Sequence, residues 1–304
     1  MSPNGAAGRE RLAGAAWQSG RELPNRVREV RLPGRLTMQY VEQGPTEGVP
    51  VVALHGVTDS WRSFEPLLPH LSGALRVFAL TQRGHGGSEA PASGYALTDF
   101  ANDVVAFLDA QGLERAIIVG HSMGSANALR LAIDHPQRVT ALALLGAFAG
   151  FRGKPELEAF WQDDLTRLVD PVDFSFAREF QASTLAQPVP PAFFEIVMEE
   201  CLKCPARVWR DAFAGMFEDA FVEQLAAVTA PTLLLWGRHD AFCPHADQQR
   251  LLAGIAGSHL IEYADAGHAL HWEEPARVAG DLVDFVCRTA PAMRRRSLAD
   301  GARR

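Results

Sequence analysis

AIIVGHSMGSANALRLAID, residues 116–134, reads as a strand, a tight turn and a helix in direct succession. The apolar run at 116–119 predicts a buried strand, and the pattern over 123–134 predicts a helix. Between them, the pentapeptide GHSMG at 120–124 predicts a sharp turn with Ser122 at its tip. A serine at such a tip has a strained backbone and an exposed hydroxyl, and the start of the following helix favours developing negative charge. The segment therefore predicts Ser122 as a nucleophile.

Apolar runs and helical patterns alternate on both sides of this segment. Two early strands, at 27–32 and 36–43, predict a hairpin. Further apolar runs lie at 51–54, 77–80, 116–119, 141–145, 232–236 and 259–263, and helical patterns at 61–71, 97–111, 123–134, 246–256 and 275–288. Nearly continuous apolar runs are typical of parallel strands that are buried on both faces. Their alternation with helices predicts an α/β fold, with a mostly parallel sheet flanked by helices.

A serine nucleophile needs two partners, because its hydroxyl is unreactive at neutral pH. A histidine must accept its proton, and a carboxylate must hold that histidine in the correct tautomer. Asp240 follows the apolar run at 232–236, and His268 follows the run at 259–263. The carboxyl ends of parallel strands meet at one edge of the sheet, so both side chains are expected near Ser122.

Other acids and histidines compete for these roles. Asp265 is the alternative to Asp240 as the triad acid, and His271, which follows His268 closely, is interpreted as a packing residue. His121 lies inside the sharp turn and fits a structural role as well as a contact with substrate. His55 is expected to order its own loop through hydrogen bonds.

Four motifs give the chain a resemblance to the α/β-hydrolase fold superfamily, in particular to its capped serine esterase or lactonase type. The resemblance covers about residues 27–288 and rests on the GHSMG turn, Asp240, His268 and the HGV stretch at 55–57. The chain order serine, aspartate, histidine is also the order of that superfamily. We expect no cofactor.

The same resemblance implies an oxyanion hole. Its donors would be the backbone amides of Val57 and Met123, which would face the carbonyl oxygen as it becomes negative. The RGHGGS stretch at 83–88 resembles a further turn of the superfamily, although Thr81 stands where an aspartate is usual. That departure concerns local structure more than catalysis.

Residues 148–221 interrupt the alternation and read as several helices separated by prolines. We interpret them as an inserted helical cap on a core formed by 26–147 and 222–290, with flexible tails at 1–25 and 291–304. The insertion holds 13 of the chain's 26 Phe, Trp and Tyr residues, so some of them are candidates for an apolar substrate site besides the insertion's own core. The candidate substrate-binding residues are Phe148, Trp161, Phe193, Phe194, Trp209, Phe213 and Met216.

The serine nucleophile points to acyl transfer. Haloalkane dehalogenases and epoxide hydrolases of this superfamily use an aspartate at the position of Ser122, and the insertion has no tyrosine to protonate an epoxide. The leading hypothesis is a hydrolase of small to medium hydrophobic carboxylic esters or lactones. The alternatives are a C–C bond hydrolase of the meta-cleavage type, a ligand receptor with slow turnover, and perhydrolase behaviour as a side activity. The oxyanion loop here lacks the glycines that are usual in the C–C hydrolases.

Composition excludes several classes of partner. The net charge of −7 argues against nucleic-acid binding, which draws on a concentrated positive surface. The longest apolar stretch, 141–151, is too short to span a membrane, and no secretory signal is recognisable at the start of the chain. Arginine supplies 27 of the 29 basic residues, a bias that favours a bacterial source. The expected partner is a small hydrophobic substrate, and the sequence says nothing of the oligomeric state.

Four cysteines are too few for a disulfide scaffold and fit a reducing cytoplasm. Cys201 and Cys204 have the C-x-x-C spacing, but no second pair of this kind exists to complete a zinc site. We therefore expect a cytoplasmic protein without a bound metal.

Overall fold

A single sheet forms the centre of the computed structural model, which describes residues 26–71 and 73–289. The strands are β1 (Arg28–Arg31), β2 (Thr37–Gln43), β3 (Val49–Leu54), β4 (Leu75–Leu80), β5 (Ala116–His121), β6 (Val139–Leu145), β7 (Thr232–Gly237) and β8 (His259–Tyr263). Their spatial order is β1-β2-β4-β3-β5-β6-β7-β8. The predicted tails at 1–25 and 291–304, and residue 290, lie outside the described residues.

The strand pairing confirms the mostly parallel sheet. β1 pairs with β2, and β2 with β4, in antiparallel fashion, so the predicted hairpin is present. The remaining neighbours, from β4 across to β8, are all parallel. The carboxyl ends of β3, β5, β6, β7 and β8 therefore share one edge of the sheet.

Helices cover both faces of the sheet. They are α1 (Leu97–Ala110), α2 (Met123–Asp134), α3 (Pro155–Ala159), α4 (Phe174–Ser183), α5 (Pro191–Lys203), α6 (Ala206–Glu218), α7 (His245–Gly254), α8 (Leu270–Glu273) and α9 (Pro275–Thr289). On β5, Ile118 belongs to an apolar cluster that includes Phe107 of α1, whereas Ile117 belongs to a separate cluster that includes Phe285 of α9. Because each face of the strand is buried, its sequence shows no polar alternation.

Helices α3 to α6 lie between β6 and β7, within the segment that the sequence predicts as the cap. Among the residues described there, a π-helical turn (Phe160–Asp164) and a 3-10 turn (Leu165–Arg167) follow α3 directly, and no strand interrupts the helices. We refer to residues 155–218 as the helical insertion. The proposed division into core and cap at 148–221 stays a prediction.

One local expectation is wrong. The pattern over 61–71 predicts one helix, but the structure has two short 3-10 turns, Trp61–Phe64 and Leu68–His70. Pro66 and Pro69 explain the difference, because a proline inside a helix lacks the N–H that donates to the preceding turn and clashes with its carbonyl.

The helices and the cysteines also bear on two expectations from the sequence, the absence of a membrane span and of disulfides. None of the helices in the described part of the chain combines the length and the apolar character that crossing a membrane requires. All four cysteines are free thiols, of which Cys201, Cys204 and Cys243 are buried.

Candidate active site

Ser122 occupies a strained turn at the carboxyl end of β5. Its φ of 54° is a left-handed value that a non-glycine residue adopts at a steric cost. The glycines on either side permit close approach of neighbouring backbone: a Cβ at Gly120 would lie 2.4 Å from the carbonyl oxygen of Gly124, and a Cβ at Gly124 would lie 2.0 Å from that of Leu54. The turn therefore presents the serine at the edge where the parallel strands end.

His268 and Asp240 form a buried hydrogen-bonded pair. Nδ1 of His268 lies 2.8 Å from Oδ2 of Asp240, and the side chains are at most 4% exposed. The other carboxylate oxygen, Oδ1, accepts hydrogen bonds from the backbone amides of Phe242 and Cys243, each at 2.8 Å. Because Nδ1 donates to the carboxylate, Nε2 of His268 is left free to accept a proton. Asp265, the alternative acid, is exposed and follows β8 rather than β7.

Ser122 and His268 line the same small cavity, which has a volume of about 30 Å³. Val57 lies in its wall, and Met123 is the first residue of α2, directly after the serine. In the part of the chain that the structure describes, neither of these two backbone amides donates a hydrogen bond. Both are thus available to a ligand, as an oxyanion hole requires.

The seven candidate substrate-binding residues divide into two groups. Phe148, Phe213 and Met216 line the cavity. Trp161, Phe193, Phe194 and Trp209 are absent from the described wall and pack elsewhere. Trp161 contacts Phe217, with ring centroids 5.9 Å apart, and Phe193 contacts Trp272 at 5.7 Å. Trp209 contacts Phe180 at 5.0 Å, and the guanidinium of Arg178 lies 5.2 Å from the centroid of the Phe194 ring. These four therefore stabilise the helical insertion and its contact with the core, and composition alone could not separate the two groups.

Several wall residues were not anticipated from the sequence. Apolar examples are Phe151, Leu157, Phe180, Phe242 and Trp272, and polar examples are Asp59, Gln181 and Thr184. Asp59 follows the HGV stretch by two residues, so a closer look at that loop could have suggested it. Gln181 and Thr184 lie in and just after α4, where no motif marks them.

A larger cleft of about 730 Å³ lies next to this cavity. Leu157, Phe180 and Phe242 line both spaces and so form the wall between them. The outer cleft also contacts Phe160 and Phe176, and the Phe160 and Phe180 rings stack at 5.8 Å with an interplanar angle of 5°. The small inner cavity, with room for about two water molecules, is therefore separated from a space of ligand size by three apolar side chains.

Several titratable groups are buried around the cavity. Burial lowers the pKa of His121 well below its usual value and lowers that of His271 to about 3, so both imidazoles are neutral at pH 7. Burial also raises the pKa of Asp59 to about 7.

His55 orders its own loop, as predicted. Its Nδ1 donates to the carbonyl of Gly56 at 2.7 Å, and the backbone amide of Gln82 donates to its Nε2 at 2.9 Å.

One cluster among the described residues has the spacing of a metal site, namely Asp240, Cys243 and His268. Two of its members are already hydrogen-bonded to each other, and the Cys243 thiol donates to the carbonyl of Gly146. Burial raises the pKa of the Cys243 thiol well above its usual value, which disfavours the thiolate that a metal prefers. The cluster is better explained as the histidine–carboxylate pair itself.

The sequence profile of the family described as alpha/beta hydrolase fold matches residues 49–275, which include Ser122, Asp240 and His268. The chain belongs to the α/β-hydrolase family. Among its α/β-hydrolase relatives, a candidate carbamate hydrolase of Variovorax paradoxus is 33% identical over 271 residues, 84% of this chain and 98% of that protein. The 2-hydroxymuconate semialdehyde hydrolase of a Pseudomonas strain is 32% identical and covers 79% of this chain and 87% of its own.

Solved structures agree on the fold. An esterase from Exiguobacterium antarcticum superposes with a TM-score of 0.77 and covers 85% of this chain and 98% of its own, at 24% sequence identity. The protein is thus a hydrolase by family, and its relatives span more than one kind of bond.

Proposed function

We propose that the protein is a serine hydrolase that cleaves small to medium hydrophobic carboxylic esters or lactones through an acyl-enzyme. The observation that carries the proposal is the arrangement at the cavity: Ser122 on a strained turn, in the same wall as a His268 ring that Asp240 holds at 2.8 Å. Neutral histidine with a free Nε2 is the form that can take a serine proton.

The catalytic cycle uses these groups in turn. Ser122 attacks the acyl carbon and gives its proton to Nε2 of His268, while the carboxylate of Asp240 stabilises the imidazolium. The amides of Val57 and Met123 stabilise the oxyanion. His268 then protonates the leaving alcohol, and it later accepts a proton from the water that hydrolyses the acyl-enzyme.

The cavity wall favours a neutral substrate. Its described residues are mostly aromatic and aliphatic and include no lysine or arginine. Its one carboxyl group, that of Asp59, supplies no positive charge to a bound anion. A carboxylate held in this cavity would be buried without a cation, which is strongly unfavourable.

The outer cleft supplies room for the larger part of the substrate. An inner cavity of about 30 Å³ is too small for an ester, so entry requires displacement of the wall formed by Leu157, Phe180 and Phe242. Rings of Phe160 and Phe176 line the cleft beyond. We expect an acyl or alcohol chain to extend past this wall into the cleft.

A C–C bond hydrolase is the second candidate, and the 32% identity to a 2-hydroxymuconate semialdehyde hydrolase favours it. That chemistry can use the same serine, histidine and aspartate. A muconate semialdehyde is, however, a carboxylate, and the cavity wall offers it no cationic side chain in the described residues. The lysine of the outer cleft, Lys154, is already paired with Asp247, so neutral esters and lactones are the better match.

Turnover of p-nitrophenyl esters from acetate to decanoate tests the proposal. The wild-type protein is compared with Ser122→Ala and with Ser258→Ala, a matched serine variant in the turn after α7, away from the cavity. Turnover that peaks at medium chain length, persists in Ser258→Ala and disappears in Ser122→Ala would support the proposal.

Two outcomes would overturn it. Cleavage of a vinylogous diketone with no ester turnover would assign the C–C reaction. A single burst equal to the enzyme concentration would point to a receptor that is modified once by its ligand.

A further inference from the structure

A chain of buried polar side chains lies behind the candidate catalytic residues. It consists of Asp59, Ser63, His121 and His271, each at most 5% exposed. The imidazole rings of His121 and His271 are tilted relative to each other, with their centroids 4.3 Å apart. None of these four residues has a part in the catalytic cycle above.

The proton on His121 can be assigned from its partners. Nε2 lies 3.2 Å from the backbone carbonyl oxygen of His268, and a carbonyl can only accept, so Nε2 carries the hydrogen. Nδ1 of this neutral ring is therefore a bare lone pair. It is buried and has no hydrogen-bond partner in the described part of the chain. The nearest carboxylate oxygen is Oδ2 of Asp59, at 3.9 Å.

Ser63 connects the other side of Asp59 to His271. Its Oγ lies 3.2 Å from Oδ2 of Asp59 and 3.1 Å from Nε2 of His271, and it accepts from the indole N–H of Trp272 at 3.1 Å. A consistent set of donors runs from Nε2 of His271 to Ser63 and from Ser63 to Asp59. The set is completed only if Asp59 in turn carries a proton that it can give to Nδ1 of His121.

The charges around Asp59 also favour a protonated carboxyl group. The titratable groups around it are His121, Glu200, Cys201, Cys204 and, beyond Ser63, His271, and its hydrogen-bond donors are Ser63, Gln181 and the backbone of Gly56. Among them are two neutral imidazoles and one acid, Glu200, and no lysine or arginine. Burial raises the pKa of Asp59 to about 7, the hydrogen bonds from Gln181, Ser63 and the backbone of Gly56 oppose that rise, and Glu200 adds to it. An ionised Asp59 would also face the lone pair of His121.

Gly56 permits the close approach of Asp59 to His121. A Cβ there would lie 3.0 Å from Nδ1 of His121 and 3.2 Å from Oδ2 of Asp59. The glycine thus lets the carboxyl group and the imidazole face each other directly. A shift of about 1 Å would bring the two atoms into hydrogen-bond distance.

We propose that Asp59 is a positioning residue, which holds one proton between its carboxyl group and Nδ1 of His121 and so keeps the wall beside the oxyanion hole uncharged. The proposal rests on the proposed function, because it concerns the oxyanion of the same reaction. The shared proton fixes the ring of the residue that directly precedes Ser122, and that ring in turn binds the backbone of His268. Asp59, Val57 and Ser122 line one cavity.

Loss of this proton has a definite consequence for the reaction. An ionised Asp59 places a negative charge in the wall of the cavity in which the oxyanion develops, and in a space of low dielectric constant that charge opposes the transition state. Turnover should therefore decline on the alkaline side as Asp59 ionises.

Asp59→Asn tests the inference through a pH profile of kcat/KM. The amide is uncharged at every pH. Because Oδ2 faces both His121 and Ser63, an amide nitrogen in its place can donate to both, and the hydroxyl of Ser63 then donates to Nε2 of His271. We expect wild-type kcat/KM to fall about tenfold or more between its maximum and pH 9, and that of Asp59→Asn to stay within about twofold. Asp247→Asn is the matched control: Asp247 is equally buried, but it is paired with Lys154 and lies outside the cavity wall, so its alkaline limb should match the wild type.

An unchanged alkaline decline of kcat/KM in Asp59→Asn, or the same loss of that decline in Asp247→Asn, would overturn the inference.

A second measurement does not depend on turnover or on a folded Asp59 variant. In Ser122→Ala, the ¹⁵N resonance of Nδ1 of His121 should shift between about pH 5.5 and 9 as its hydrogen bond is lost, while Nε2 stays protonated. No shift would overturn the shared proton, whether or not any ester is hydrolysed.

Discussion

Nδ1 of His268 donates to Oδ2 of Asp240 across 2.8 Å, and the partner oxygen of that carboxylate is already held by two backbone amides. The amides of Phe242 and Cys243 fix the orientation of the carboxylate. Oδ2 is therefore presented to the imidazole in one orientation, and this determines which ring nitrogen bears the proton.

Asp240→Asn should abolish this control of the tautomer. The amide oxygen will face the two backbone N–H groups, so the NH₂ group will face Nδ1 of His268 and force its proton onto Nε2. We expect kcat for ester hydrolysis to fall about 10⁴-fold with little change in the melting temperature. Asp265→Asn, at the exposed alternative acid, should keep full activity. Equal loss in both variants would contradict the assignment of Asp240.

Phe180→Ala should shift the preference towards longer chains, because it opens the wall between the inner cavity and the outer cleft. We expect the ratio of kcat/KM for decanoate to that for acetate to rise about tenfold. Phe176→Ala is the matched control, since Phe176 contacts the same Phe160 and Trp209 rings but lines only the outer cleft. The same shift in both variants would show that general loosening of the insertion, and not the wall, sets chain length.

Gly124→Ala should destabilise the protein by about 3 kcal/mol or more, measured by urea unfolding, because its Cβ would lie 2.0 Å from the carbonyl oxygen of Leu54. Gly280→Ala gives the opposite expectation. Gly280 lies in α9 with open space around its Cβ position, so alanine should stabilise the helix by about 0.5–1 kcal/mol. A Gly124→Ala protein of wild-type stability would disprove the close approach.

Stability should depend on pH through the buried histidines. Burial lowers the pKa of His55 and His121 well below the usual value, that of His85 to about 4 and that of His271 to about 3. The unfolded chain binds protons at these residues below pH ~6.5 and the folded chain does not, so the melting temperature should fall from pH 6.5 towards pH 4.

Asp59 acts in the opposite sense, because its folded pKa of about 7 exceeds the usual value of 3.8. Its contribution to stability is complete below pH ~4 and is lost as pH rises through 7. The four histidines outweigh this single acid, so the melting temperature of the wild type should rise from pH 4 to about pH 6.5 and level off above pH 7, and that of Asp59→Asn should rise more steeply between pH 4 and 7. His70→Gln, at an exposed histidine, should leave the profile unchanged, and a flat profile in the wild type would contradict the burial of these groups.

The sequence was a good guide to the strands, because each parallel strand is buried on both faces and so stands out as an apolar run. It was also a good guide to Ser122, Asp240 and His268, since each follows such a run closely and the ends of parallel strands converge. The roles of these residues stay predictions until they are measured.

The wall of the cavity was less predictable. Phe193 and Phe213 are both buried aromatics of the insertion, yet only Phe213 reaches the cavity, whereas Phe193 packs against Trp272. Asp59 was missed for a different reason. Its environment includes Gln181 and Glu200, which are remote from it in sequence, so no local pattern marks it as a buried acid.

The contact between Gly124 and Leu54 also bears on how sequences of this kind should be interpreted. The space at Gly124 is closed by the backbone of a neighbouring strand, so the glycine would still be required in a descendant that had lost its reactive serine. The glycines of the motif thus indicate common ancestry and the fold, whereas catalytic activity has to be judged from the serine, the histidine and the aspartate alone.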